Sequence, residues 1–444
     1  MECCVAEQEG VKRLLRILIL HQNMGSGHKR VARIVEDIIH SRMEAEIVNI
    51  AANDILRSHF MNCFEPFWNW VMRRNWVAFA DFWGAFMTRA LAMPVLEALN
   101  TTKLYRLLDL HAPDLIVSTV DGFNKTLAVY ALSNAIPLHI YTTSYSIFLD
   151  NVQPAAKHFC YFDETASAIR SFDLESAYFQ RFLAPEASLG EKLRYVASFW
   201  YEVLRGRAEF LYARDGEEAA RRNSCQCIKV GPLVEAKHFA KRDTRAIKRR
   251  LGITNGLPCV LIASGSLGGE FILDAVYAMF AEPEYPLNLL AMCGKDKQTL
   301  HKIQRLAGQT AAIRLFPFGY TQDFDDFLAI ADCVAARPSA GVFNESLVHR
   351  KPYIAVGPST SNDKGIFTLL RKHRVGEVCR RVRLLSLSVK RVFENKVVYA
   401  ENIEAFLRDT PSDFEAMADI IVHQVLMDIE TARANGARVE NVAQ

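Results

Sequence analysis

Residues 14–41 read LLRILILHQNMGSGHKRVARIVEDIIHS. The continuous apolar run Leu14–Leu20 suits a strand buried on both faces of a parallel sheet. A small-residue turn, Gly25-Ser26-Gly27-His28, follows it directly. Apolar residues then recur at helical spacing from about Lys29 to Ser41. A strand that runs through a Gly-rich turn into an amphipathic helix is the opening unit of a doubly wound α/β domain.

Working outward, the same rhythm repeats. Strands are predicted at Ala45–Ile50, Leu115–Val120 and Leu138–Thr142, with a helix over Asn124–Ser133. Shorter strand candidates are Phe159–Phe162 and Cys227–Val230. A second series follows, with strands at Cys259–Ala263, Leu287–Cys293, Ala312–Phe316, Cys333–Ala335 and Tyr353–Val356. The chain has 444 residues, and single cores stop growing at roughly 250–300, so two domains are expected. The division is an N-terminal Rossmann-like domain over 12–232, a C-terminal one over 233–410, and a helix with a tail over 411–444. A charged, helical stretch at 174–223 breaks the alternation and reads as an insertion. The fold class is therefore α/β, with two Rossmann-like domains facing a cleft.

Composition narrows the function. Half the residues are hydrophobic and the net charge is +3, which gives no reason to expect a nucleic-acid partner. The stretch Lys237–Arg250 is strongly basic. It reads as a solvated helix or as a patch drawn to an anionic surface. Ten cysteines without paired spacing, three of them in apolar runs, read as free thiols of a reducing cytosol. No secretory signal and no membrane-spanning run is expected, so the location is cytoplasmic, with peripheral attachment to the inner face of the membrane in view.

Two Gly-rich turns carry chemistry. Gly25-Ser26-Gly27-His28 lets backbone approach a ligand at a helix N-terminus, with His28 facing the cleft. It lacks the third Gly and the acidic residue of a dinucleotide fingerprint, and it is not a Walker A loop. Ser264-Gly265-Ser266-Leu267-Gly268-Gly269 holds the same place in the second domain and is the better diphosphate cradle. Phe318-Gly319-Tyr320 ends a strand. Arg337 begins the run Arg337-Pro338-Ser339-Ala340-Gly341-Val342-Phe343-Asn344-Glu345, and Asn362-Asp363 follows later. A carboxylate one turn into a helix, such as Glu345, suits a ribose diol. Asp323-Phe324-Asp325 spells a metal motif but sits at a predicted helix start, where acids favour the helix dipole, so no metal is expected.

The order of these motifs resembles the glycosyltransferases that include the monogalactosyldiacylglycerol synthases and the processive diacylglycerol glucosyltransferases, a family 28-like group. The peptidoglycan-precursor N-acetylglucosaminyltransferase is a more distant member. The resemblance runs from about Leu14 to Leu370, apart from the insertion. It implies a GT-B fold, an inverting reaction and a UDP-sugar donor used without a further cofactor. By that resemblance Gly25, Gly27 and His28 match a Gly-x-Gly-His loop. Gly265, Ser266 and Gly268 fall on the donor-phosphate loop, with Gly341 in the segment before the acid. Phe318, Gly319 and Tyr320 face the base, Glu345 holds the ribose, and Asn362 and Asp363 replace a Gln-Glu pair at the sugar. The family's Thr-Asp pair is here Thr143-Ser144, and its downstream His and Trp are Phe148 and Asn151.

An inverting transfer needs a base for the acceptor hydroxyl, and His28 is the candidate, with positioning or structural roles as alternatives. It also needs positive charge for the leaving diphosphate, from loop amides with Arg337 or Lys295. Four of the five Trp lie between His59 and Met93. There Trp68, Trp70 and Trp76 stand with Arg73 and Arg74, a composition that suits a lipid interface or an aromatic core. The leading reading is a hexosyltransferase acting on a lipid such as diacylglycerol. Alternatives are a soluble acceptor, a nucleotide-sugar binder without catalysis, and a nucleotide-sugar 2-epimerase.

Overall fold

The computed structural model describes residues 14–22, 27–56, 59–172, 182–184, 186–204, 223–308, 312–411 and 413–442. Among the described residues, twelve strands form two parallel sheets. The first contains β1 (Leu15–His21), β2 (Ala45–Ala51), β3 (Leu115–Ser118), β4 (Leu138–Tyr141), β5 (Ala156–Cys160) and β6 (Gln226–Lys229), in the order β2-β1-β3-β4-β5-β6. The second contains β7 (Cys259–Ala263), β8 (Leu287–Met292), β9 (Ile313–Phe318), β10 (Cys333–Ala336), β11 (Tyr353–Val356) and β12 (Gly376–Cys379), in the order β12-β11-β10-β7-β8-β9. Each sheet is Rossmann-like, as the alternating pattern requires.

The apolar runs become strands because both faces are covered. Ile17–Leu20 and Cys259–Ala263 are all buried. The helix Gly27–Arg42 buries Val31, Ala32, Ile34, Val35, Ile38 and Ile39, the stripe expected of a surface helix. Two strands were poorly legible. β5 begins three residues before its predicted start, because Lys157 and His158 are polar yet buried. Each has a partner: Lys157 Nζ reaches Asp428 at 2.7 Å, and His158 Nε2 accepts from the Gln153 backbone at 3.2 Å. The edge strand β12 carries only Gly-Glu-Val-Cys, too short a signal to stand out.

Strand order fixes where ligands bind. In the first sheet the chain moves from β1 outward to β2 and then returns to β3 beside β1. In the second it leaves β7 for β8 and β9 and returns to β10 beside β7. Each reversal opens a crevice at the carboxyl ends of the strands. At those crevices lie His28 with 119–123, and 264–269 with 337–340.

The two halves share a core. The Tyr145 ring lies 5.2 Å from that of Phe343, and Phe162 lies 4.4 Å from Phe406. The last helix, Phe414–Val442, returns to the first sheet. Ile421, Val425 and Ile429 are buried, and Asp428 accepts from His139 Nε2 at 2.8 Å and from Lys157. The insertion lies largely outside the described residues. Its helix Leu189–Leu204 places Tyr195 Oη 2.8 Å from Glu97 of the helix Met93–His111. Among the described residues, no helix is long and apolar enough to cross a membrane.

The basic stretch Lys237–Arg250 has a structural use. Asp243 caps the helix Thr244–Arg250 through two amides at 3.0 Å. Arg242 pairs with Asp325 and Asp326, and Arg250 with Asp326, so the second carboxylate of the Asp-x-Asp motif is engaged in an ion pair. Replacing Asp428 with Ala leaves His139 and Lys157 without their shared acceptor. It should cost about 2 kcal/mol, seen as a lower urea midpoint with an unchanged slope.

Candidate active site

His28 stands in the first turn of the Gly27–Arg42 helix, at the β1/β3 crevice. Gly25 and Ser26, named from the sequence, lie outside the described residues. His28 Nδ1 is 2.7 Å from the Thr119 carbonyl oxygen, with Thr143 Oγ1 at 3.1 Å. A carbonyl only accepts, so Nδ1 carries the proton and Nε2 keeps its lone pair. Nε2 faces Asp121, whose Oδ2 is 3.6 Å away.

Asp121 was missed in the sequence, although an Asp-Gly pair at the end of an apolar strand is a fair signal. It reaches the crevice beside His28 because β3 lies between β1 and β4. Arg89 Nη2 donates to Asp121 at 2.5 Å and Asn362 Nδ2 at 3.3 Å. Burial works against charge on Asp121, but Arg89, His28 and the side chain of Asn151 hold its carboxyl below the usual range. The Arg89 guanidinium lies 3.3 Å from the centre of the Phe148 ring. Arg89 Nη1 is buried without a hydrogen-bond partner among the described residues.

Opposite lies the second crevice. Gly265, Gly268 and Gly269 all have positive φ, and a Cβ on Gly268 would sit 1.9 Å from the Cys293 carbonyl. Only glycine permits that interlock with the 293–296 turn, where Lys295 N donates to Ser266 O at 3.0 Å. Ser264 Oγ is buried and has no partner among the described residues. Phe318 packs on Phe327 at 4.6 Å. Tyr320 is largely exposed, beneath Lys295 at 5.2 Å.

The helix Ala340–Val348 starts at this crevice, with Gly341 in its first turn. Asp363 Oδ1 accepts from Ala340 N at 3.1 Å, so a carboxyl caps the helix start. Burial, joined by nearby Asp121, pushes Asp363 up to about 7 against Ala340 N–H and Arg337. Burial lowers Arg337 to about 10, and its Nη1 donates to the Met72 carbonyl at 2.8 Å. Asn362 joins the halves: its carbonyl accepts from Tyr145 N and Ser146 N at 3.1 and 2.9 Å.

Glu345 is buried and ion-paired with Arg30, which comes from the first domain. Burial raises the Glu345 carboxyl and Arg30 opposes it. Arg30 Nη2 also donates to His238 Nε2 at 3.1 Å. That leaves the proton on His238 Nδ1, 3.3 Å from His349 Nε2. Burial, with Arg30 next, lowers His238 to about 2, so this relay is neutral.

The aromatic segment spans the mouth of the cleft. It comprises the helices His59–Arg73 and Val77–Asp81, then a π-helical run, Phe82–Ala92. Its inner side touches the second crevice. The Arg73 carbonyl abuts Gly269, Arg74 pairs with Glu270 at 2.8 Å, and Asp81 accepts from Ser361 N at 2.5 Å and Lys364 at 2.9 Å. Its outer side leaves Trp76 52% and Phe82 56% exposed, with Trp70, Phe79 and Phe86 also exposed. Trp68 instead packs on Gly84. Among the described residues, no three His, Cys, Asp or Glu side chains gather to hold a metal ion.

Asp363 titrates higher folded than unfolded, where carboxylates lose their proton near pH 4. The folded state keeps the proton longer, so this group lowers stability as pH rises from about 4 to about 7. Asp363→Asn keeps the acceptor for Ala340 N and removes the titration. Its melting temperature should match the parent at pH 4 and exceed it at pH 8.

No protein-family model matches the chain. A UDP-N-acetylglucosamine–N-acetylmuramyl-(pentapeptide) pyrophosphoryl-undecaprenol N-acetylglucosamine transferase of Geobacillus thermodenitrificans is 27% identical over 192 residues, 41% of this chain and 51% of that protein. The similarly named transferase 3 of Bacillus cereus is 22% identical over 202 residues, 44% of this chain and 55% of that protein. The chain thus spans about half the length of the curated relatives it matches. Among solved structures, MurG of Acinetobacter baumannii aligns with a TM-score of 0.57 at 14% identity, covering 93% of this chain and 100% of that one. The fold is that of the GT-B glycosyltransferases, and the sequence relatives of this chain are named as N-acetylglucosamine transferases.

Proposed function

We propose that this chain is an inverting hexosyltransferase that moves a sugar from a UDP-sugar to an acceptor hydroxyl at a membrane surface. The observation that carries the reading is the His28–Asp121 pair at one crevice, facing the Gly-rich loop and helix start at the other. The acceptor O–H gives its proton to His28 Nε2. Its oxygen forms a bond to the anomeric carbon, and the bond from that carbon to UDP breaks with the electron pair leaving on the diphosphate. The Thr119 carbonyl fixes the His28 tautomer, and Asp121 stabilises the imidazolium that forms. Loop amides at 265–269, with Lys295 and Arg337, are the proposed counter-charges for the leaving group, without a metal ion.

Glu345 remains the proposed ribose ligand. In this arrangement the ribose diol exchanges with Arg30, and Arg30 then turns toward the diphosphate. The acceptor is proposed to be a lipid. The exposed aromatic face beside Arg73 and Arg74 supports this, as do relatives whose name specifies an undecaprenol-linked substrate. Diacylglycerol is the proposed class. A second reading, donor binding without turnover, is favoured by the replaced motif positions: Thr143-Ser144, Phe148 and Asn151 stand where the resembling family has Thr-Asp, His and Trp.

UDP release from UDP-sugars, measured with and without diacylglycerol vesicles, separates the readings. Release that depends on lipid supports the transferase, and binding without release supports the second reading. His28→Ala should lower turnover by about 10²–10⁴-fold with UDP affinity retained. Equal turnover removes His28 as base. In sedimentation, Trp70→Ala with Trp76→Ala should reduce pelleting with vesicles, and undiminished pelleting counts against the interface.

A further inference from the structure

We infer that the second domain carries a separate phosphate-binding site at its free sheet edge, outside the donor cleft. A cavity of about 340 Å³ opens beside the end of β12, between the helices Gly365–His373 and Leu385–Glu394. Four guanidinium groups line it: Arg371 from the first helix, Arg380 and Arg381 from the turn after β12, and Arg391 from the second helix. Among the described residues, no carboxylate lines it. Among the described residues, Arg371 and Arg381 form no ion pair. β12 is three strands from β7, which at ordinary strand spacing sets the cavity about 14 Å from the Gly265–Gly269 loop.

Two of the arginines are held in place. Arg391 donates to Glu377 at 3.1 and 3.2 Å and to Ser388 Oγ at 3.0 Å, which braces it beside the cavity. Arg380 lies 5.3 Å from the centre of the Phe367 ring. Arg371 sits in the last turn of its helix, where the dipole favours a cation, which accounts for that residue alone. Charge that guards an edge strand is usually carried by the strand itself or its flanks. Here the strand contributes Glu377 and its flank Arg380 and Arg381, while Arg371 and Arg391 reach the same concavity from two helices. Four guanidinium groups gathered around one nearby carboxylate, Glu377, are stabilised by an anion, and planar guanidinium forks match phosphate oxygens. Phosphate is the ligand chemistry that fits. Its source is a free phosphate or diphosphate, or a lipid headgroup, for which Leu384, 43% exposed at the rim, supplies an apolar neighbour.

The test uses the full chain with UDP in excess, so that the donor cleft is blocked if it binds UDP and unaffected if it does not. Calorimetric titration with inorganic phosphate and with pyrophosphate should give saturable binding. Arg371→Ala with Arg381→Ala should weaken it at least about tenfold. Both arginines are exposed, so the variant should fold, and its circular dichroism and melting temperature confirm that. Flotation with phosphatidylcholine vesicles, with and without phosphatidic acid, separates the sources. Arginine-dependent capture by phosphatidic acid assigns a headgroup, and its absence alongside free-phosphate binding assigns a soluble ligand. No saturable binding, or equal affinity in the double variant, overturns the site.

Discussion

The Asp121 carboxylate holds the cleft together. It is buried, and a buried charge without partners is costly, so its surroundings must supply them. Those partners come from separate parts of the chain: Arg89 from the π-helical run, His28 from the first helix, Asn362 from the second domain. One carboxylate therefore registers the aromatic segment, the proposed base and the facing domain against each other. The Arg30–Glu345 pair is a second tie of the same kind, deeper and between the same two halves. The neutral His238–His349 pair behind it accepts a hydrogen bond without adding charge to a dry region.

The architecture was legible because both sheets are parallel and doubly covered. Such strands must be continuous apolar runs, and β7 and β11 fall where those runs fall. Legibility failed where burial was achieved by pairing. Lys157 and His158 hide β5 because Asp428, far along the chain, and the Gln153 backbone satisfy them. The site divides in the same way. Glycine loops and His28 announce themselves by spacing, since backbone conformation is a local matter. Asp121 does not, because its importance arises from three partners that only the fold assembles. Residue type at Glu345 and Asp363 was readable, but their present contacts, an arginine from the other domain and a helix start, depend on how the halves close.

The two crevices differ in electrostatic character. On the His28 side, charges are matched within a few ångströms. On the donor side, the helix at Ala340 meets a carboxyl whose proton is held by burial to about neutral pH. That carboxyl is a neutral cap when protonated and a repulsive neighbour to a phosphate when not. The environment of Asp363, more than its identity, thus governs how hospitable this end of the cleft is to an anion.

Residues 72–81 present their backbone to the Gly-rich loop and to Arg337, and their rings to the outside. Because the strip is thin, its two faces cannot shift independently. A tilt that seats the rings in a softer medium also withdraws carbonyls from the glycines beneath. Any displacement of the exposed rings is therefore also a displacement of the backbone that meets the Gly-rich loop.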